Sequence, residues 1–204
     1  MNAQLDAQTP IRPTGVGRPG PSRWPRRLVR ATGRATLYCA LLLPVAVAAL
    51  PTGLAGGAAT TANWWRTMRT RVLGAGPEPA RRTPGVLAAA GHALLSLLLG
   101  AAALAPLGVL VLMVFRGVLY GLVDPGPYDT SWGGPTRAGA WLAHFLVGVP
   151  FTLASLAALV GIAAVHQRLT RGLDGHRRAG WLVPVALLVA LAGGLFVFAW
   201  TRQI

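Results

Sequence analysis

Thirty consecutive residues, Val86 to Phe115, carry no formal charge: VLAAAGHALLSLLLGAAALAPLGVLVLMVF. A helix rises about 1.5 Å per residue, so this run reaches about 45 Å. A bilayer core is about 30 Å thick and needs roughly 20 apolar residues to cross it. An amphipathic helix of a water-soluble domain would show polar residues on every turn, and this run does not. Three further runs share the pattern: Ala35–Ala62, Gly139–Val165 and Trp181–Trp200. Only 12% of the chain is charged, about half the usual share for a soluble domain. The expected fold is therefore an all-α integral membrane helical bundle with four hydrophobic segments.

The first segment is the ambiguous one. It is too long for one crossing and too short for two. Pro44 and Pro51 interrupt it, and Gly53, Gly56 and Gly57 follow. A kink or a re-entrant bend near Leu50-Pro51-Thr52-Gly53 is expected, a single crossing being the alternative. Pro106 is expected to bend the second segment. The fourth begins and ends on Trp181 and Trp200, a separation of about 28 Å along a helix, which suits the aromatic belts at both membrane surfaces.

Every basic residue is arginine or histidine, and the arginines flank the apolar runs. Residues 1–34 carry seven arginines against Asp6, residues 63–85 five against Glu78, and residues 166–180 four against Asp174. Residues 116–138 balance Arg116 and Arg137 against Asp124 and Asp129. The positive-inside rule places the three basic stretches, and with them the N-terminus, in the cytoplasm and the neutral loop outside. The expected location is the bacterial inner (cytoplasmic) membrane. Arginines beside apolar runs suit a lipid bilayer as partner and not nucleic acid. Residues 1–27, rich in proline and glycine, read as a disordered basic cytoplasmic tail. Residues 28–175 read as the membrane domain proper, and 176–204 as an additional C-terminal transmembrane helix.

Asn63-Trp64-Trp65-Arg66-Thr67-Met68-Arg69-Thr70-Arg71 predicts a basic interfacial helix, with Trp64 and Trp65 as headgroup anchors together with Trp181 and Trp200. His92 and His144 fall inside apolar segments, whereas His166 and His176 are placed in a cytoplasmic linker. None has metal-site spacing, so neither metal nor cofactor is expected. Cys39, the only cysteine, reads as a small hydrophobe. Gly148, Thr152, Ser155 and Leu159 on the third segment, and Ala101, Ala105 and Gly108 on the second, have the spacing of helix-packing stripes. No acidic residue lies in a membrane segment and no catalytic fingerprint is present. Coupled transport and enzymatic activity are both disfavoured.

The loop between the second and third segments contains Tyr128-Asp129-Thr130-Ser131-Trp132-Gly133-Gly134-Pro135-Thr136 and runs into Ala138-Gly139-Ala140-Trp141. Glycine and proline there mark turns, and the aromatics suit an interface. It reads either as a sensing cap, with Tyr128, Asp129, Trp132, Gly133, Gly134, Pro135 and Trp141 as candidate ligand residues, or as a rigid lid. The run Trp132–Thr136, then Ala138–Trp141, then Leu169-Thr170-Arg171, resembles a multi-pass sensor domain family of GC-rich bacteria that is often found ahead of histidine kinases. The resemblance spans residues 28–175. It implies a non-catalytic membrane sensor or regulatory module that passes an extracytoplasmic or bilayer stimulus to a cytoplasmic partner, such as a separate kinase or regulator. A fourth apolar segment stands where the kinase would be. That departure keeps a second reading open, an accessory subunit of a membrane transport complex. Self-association into a homo-oligomer is compatible with either.

Overall fold

The computed structural model describes residues 24–176 and 180–202, apart from the side chain of Trp200. The expectations for residues 1–23 and for Trp200 as an anchor lie outside these. The described chain is helical: α1 (Trp24–Leu54), α2 (Ala58–Arg71), α3 (Val86–Leu112) continuing into a π-helical turn (Met113–Val118), α4 (Tyr120–Val123), α5 (Arg137–Leu173) and α6 (Leu182–Thr201). Trp24 to Arg27, read as part of the tail, already belong to α1. Among the described residues, four helices are long and apolar enough to cross a membrane: Trp24–Leu54, Val86–Val118, Arg137–Leu173 and Leu182–Ala199. The protein is an all-α helical bundle of multi-pass membrane type.

The first segment does not break at Leu50-Pro51-Thr52-Gly53. Its helix absorbs both prolines and continues to Leu54, with the Thr52 hydroxyl bonded back to the Ala48 carbonyl. The chain reverses one turn later. Gly56 N–H bonds the Gly53 carbonyl and Gly57 N–H bonds the Thr52 carbonyl, with Gly56 at φ +91°. This is a glycine-terminated helix end that satisfies the last carbonyls. Gly57 is at the same time the residue that opens α2. α5 stops in the same way, with Gly175 at φ +88° and His176 N–H on the Arg171 carbonyl.

Small residues set the helix order. A Cβ on Gly100 would lie 2.8 Å from the Leu43 backbone, and one on Gly53 would lie 3.6 Å from Ala89 Cβ. α1 and α3 therefore pack antiparallel and close. Ser96 meets His166, and a Cβ on Gly148 would strike Met113 Sδ, so α3 and α5 are antiparallel as well. A Cβ on Gly193 would lie 2.7 Å from Ala102 Cβ, which fixes α6 on α3. Close approach by small residues is the expected packing mode in lipid, where no hydrophobic drive acts between helices. On α3 the packing stripe is Gly100, Ala102 and Ala103, whereas Ala101 and Gly108 point outward. The helix turns by about 100° per residue, and the sequence spacing alone had selected the wrong side.

The ends of α1 and α5 and the start of α3 gather at one end of the bundle, here called basal. The π turn, α4 and the start of α5 form the opposite, loop end. Between them run Tyr38, Leu42, Ala46, Leu99, Ala103, Leu159 and Leu169, all buried. Outward-facing leucines and phenylalanines such as Leu104, Phe151, Leu188 and Phe198 cover the exterior, the inverse of a water-soluble surface and the expected coat for lipid. α2 is not a surface float. Thr61, Ala62, Trp65, Met68 and Arg69 are all buried against the basal end of the bundle.

Candidate functional site

Two constellations stand out, one at each end of the α3–α5 pair. At the loop end, Asp124 Oδ1 accepts from Gly126 N–H at 3.0 Å, and the Tyr128 hydroxyl donates to the Asp124 carbonyl at 2.5 Å. The Gly126 N–H, then a hydrogen bond from Tyr120, and more weakly the charges of Arg116 and His144, hold the Asp124 carboxyl below the usual aspartate range. Tyr120 stacks on His144 with ring centroids 4.2 Å apart. The His144 Nδ1–H donates to the Ala140 carbonyl at 2.8 Å.

The Trp-Gly-Gly-Pro-Thr run has a structural explanation residue by residue. Gly133 and Gly134 have φ of +95° and +96°. A Cβ on Gly133 would lie 2.2 Å from the Gly139 carbonyl oxygen, and one on Gly139 would lie 2.2 Å from the Gly133 oxygen. The turn is thus seated backbone to backbone on the first turn of α5. Thr136 caps that helix, its Oγ1 accepting from Gly139 N–H at 3.1 Å. Trp141 Nε1–H donates to the Gly117 carbonyl at 2.8 Å, which ties α5 to the π turn. Of the candidate ligand residues, Gly133, Gly134 and Trp141 build the lid, and Tyr128 braces it. Asp129 and Pro135 are exposed on its outside. Tyr128 also lines a pocket with Asp124 and Arg137, and Trp132, 76% exposed, lines a second, apolar cavity.

That cavity is an open groove of about 440 Å³ between the end of α3, the π turn, α5 and α6. Val109, Leu112, Met113, Val147, Phe151 and Phe196 make it apolar, and Arg116, Trp132 and His144 stand along it. Gly117 and Gly148 remove side chains on either side of Met113. Arg116 and His144 were not among the sequence candidates for ligand binding. The signal that could have found them is a lone arginine and a lone histidine near the outer ends of two segments that a short loop joins.

The two glycines of the lid give a direct test. Gly133→Ala should cost clearly more stability than Gly134→Ala. Both impose about 1–2 kcal/mol of left-handed backbone strain on an L-residue, but only the first also drives a methyl into the Gly139 carbonyl, since a Cβ on Gly134 meets open space. Thermal unfolding of the two variants in detergent, side by side, reads the difference.

At the basal end the arrangement is polar and enclosed. His166, fully buried, lies with Nδ1 2.7 Å from the Tyr38 hydroxyl and Nε2 2.8 Å from Ser96 Oγ. Ser96 gives its own proton to the His92 carbonyl at 2.6 Å. A carbonyl only accepts, so Ser96 Oγ accepts from His166 Nε2–H, and in the neutral ring Nδ1 accepts from Tyr38. Trp65 packs on both His92 and His166, at ring centroid distances of 5.5 and 5.1 Å, and the two imidazoles lie 5.1 Å apart. Two sequence expectations change here. His166 is not in a linker but inside α5, covered by α1 and α2. Trp65 is not a headgroup anchor but wholly enclosed. Trp64 is half-buried, and Trp181 is half-exposed beneath the Arg168 guanidinium.

Below this cluster lies a set of ion pairs. Arg66 Nε meets Asp174 Oδ1 at 2.7 Å, and Asp174 is 1% exposed. Glu78 pairs with buried Arg69 at 3.3 Å and with Arg171 at 2.7 Å. Partial burial acts to raise the Glu78 carboxyl, but the Arg171 hydrogen bonds and the charges of Arg171 and Arg69 outweigh it and hold the group below the ordinary glutamate range. Arg81 N–H bonds the Asp174 carbonyl at 2.9 Å. The linker between α2 and α3 is thereby latched to the end of α5. No family model matches this sequence, and neither the curated proteins nor the solved structures give a match.

Proposed function

We propose that this protein is a non-catalytic membrane sensor or regulatory module, whose input is the groove at the loop end and whose output is the latched linker at the basal end. The observation that carries the reading is that the same two helices, α3 and α5, form both. Their loop-end halves line the groove with Val109–Gly117 and Ala143–Phe151. Their basal halves hold His92, Ser96 and His166 and end on Asp174. Anything that spreads or closes the groove changes the α3–α5 contact, and the ion pairs of Glu78 and Asp174 tie α2 and the linker to the end of α5. A ligand shifts such an equilibrium only by its differential affinity for the two arrangements.

The basal-end arginines Arg66, Arg69, Arg81, Arg82 and Arg171 support the cytoplasmic face of the inner membrane for that end, and Arg116 and Arg137 at the loop end are offset by Asp124 and Asp129, whereas Arg26, Arg27 and Arg30 at the start of α1 lie toward the loop end and weigh against it. The resemblance of the lid to the sensor domain family supports the same assignment, with a separate kinase or transcription regulator as partner.

The test uses the full chain in nanodiscs. Val147→Trp puts a bulky side chain into the groove at a position that is already 46% exposed. Amide exchange of residues 74–82 should change several-fold in this variant. An unchanged linker overturns the coupling. Cross-linking from residues 78–82 in cells should trap a regulator, and a trapped ATPase or permease would assign the chain to a transport complex.

A further inference from the structure

We infer that the loop-end groove is a binding site for an anionic phospholipid of the surrounding leaflet, with one acyl chain lying along α5 and the phosphate held by Arg116. The inference deepens the proposed sensing role by naming the class of ligand and rests on it only for its consequence, not for binding itself.

The groove is apolar along its length and charged at one point. Val109, Leu112, Val147 and Phe151 line the stretch toward the bilayer centre, and Arg116 and Trp132 mark the mouth. From Val109 to Arg116, and from Ala143 to Phe151, the helices rise about 10–12 Å. That is long enough for an extended stretch of hydrocarbon and too narrow and greasy for a polar solute. The volume falls within the range of about 300–1,000 Å³ that small-molecule sites occupy. Of its lining, Val147 and Phe151 are exposed on the apolar exterior, so that stretch of the groove opens toward lipid.

The lining alone selects nothing, because lipid tails are as apolar as leucine and gain little by leaving the bilayer for the groove. Selection falls on the head. Arg116 is exposed, and among the described residues it forms no ion pair within 4.0 Å, unlike Arg66, Arg69 and Arg171. Asp124, on which Arg116 acts electrostatically, is turned to the Gly126 N–H. A guanidinium presents paired donors that match a phosphodiester bidentately. A head with net negative charge is favoured over one whose own cation already neutralises the phosphate. The π turn supports the site geometrically. It adds a residue to one turn of α3, and such turns are frequent at binding sites. Here it carries Arg116 and leaves Gly117 and Gly148 as the slot for Met113.

The experiment is photo-crosslinking of the full chain in phosphatidylcholine nanodiscs. One arm contains a phosphatidylglycerol with a diazirine in its acyl chain and the other the corresponding phosphatidylcholine probe. Cross-links from the phosphatidylglycerol probe should map to residues 109–117 and 143–151 and be competed by unlabelled phosphatidylglycerol. The phosphatidylcholine probe should label those peptides about tenfold less, as should the phosphatidylglycerol probe with Arg116→Gln, given the usual strength of a hydrogen bond to a charged group. Val147→Trp should remove groove labelling while leaving that of the outer face of α6. Equal labelling by the two probes, or full labelling of Arg116→Gln, overturns the proposal. If labelling is selective yet linker exchange at 74–82 ignores phosphatidylglycerol, the lipid site stands and the sensing role falls. If the linker responds to groove filling without headgroup selectivity, the sensing role stands and the lipid site falls.

Discussion

Glu78→Ala should loosen the basal end of the bundle by about 3 kcal/mol, seen as a fall of about 10 °C in the midpoint of thermal unfolding in detergent. The size follows from what is left behind. Arg69 is 1% exposed, and its described ion pair is with Glu78. Removing one member of a buried pair leaves an uncompensated charge, and that costs about 3–5 kcal/mol when the site is dry. Glu78 itself is 33% exposed, so solvent screens part of the effect and the lower end applies. Arg171, more exposed, can turn to water and adds little. The pH dependence provides a second readout. The Glu78 carboxyl is depressed in the folded protein. Its contribution is therefore complete above the ordinary glutamate value of about 4.3 and is lost as pH falls through the lower folded value. The difference between parent and Glu78→Ala should be constant from neutral pH down to about 5 and shrink in more acidic buffer. A difference that grows on acidification would contradict the assignment. Glu78→Gln, which keeps the hydrogen-bonding shape but not the charge, should fall between the two.

His166→Leu should cost about 2–4 kcal/mol, and Tyr38→Phe added to it should recover part of the loss. The imidazole is the partner of both the Tyr38 hydroxyl and Ser96. Hydrogen bonds between membrane helices average only about 0.6 kcal/mol, because the unfolded state in lipid also finds partners. The larger part of the cost lies in the fully buried Tyr38 hydroxyl, left with Thr170 in place of His166, and in poorer packing around Trp65. Ser96 keeps the His92 carbonyl and suffers less. Replacing both members of the pair by apolar groups removes the Tyr38 hydroxyl. The double-mutant cycle on unfolding free energy should give a coupling of about 1 kcal/mol between the two positions. Additive losses would show that Tyr38 and His166 do not depend on one another.

The four spanning helices were legible because a bilayer demands uncharged runs of a fixed length, and nothing else in the chain imitates them. The end of the first helix was legible in kind from Gly53, Gly56 and Gly57. The misplacements share one cause. His166 is followed by Gln167 and Arg168 and so resembles the polar exit of a span, and Trp65 sits among arginines and so resembles a headgroup anchor. Both judgments assume that polarity along the chain reports depth in the membrane. At the basal end α2 folds over the exits of α1, α3 and α5, and a side chain can lie beyond the apolar run yet be wholly enclosed. The groove was illegible for a different reason. It depends on a π turn that shifts Arg116 around the helix axis, and on contacts between residues some thirty positions apart.

The junction at Gly56 and Gly57 has a mechanical consequence. One residue both finishes the hydrogen bonding of α1 and begins α2, so no slack chain lies between them. Twisting or tilting the short arm must either turn the long one as a lever or unwind its final turn. A protein or lipid that grips the arginine-bearing side of α2 would thus transmit torque to a helix that crosses the bilayer, with no hinge to absorb it.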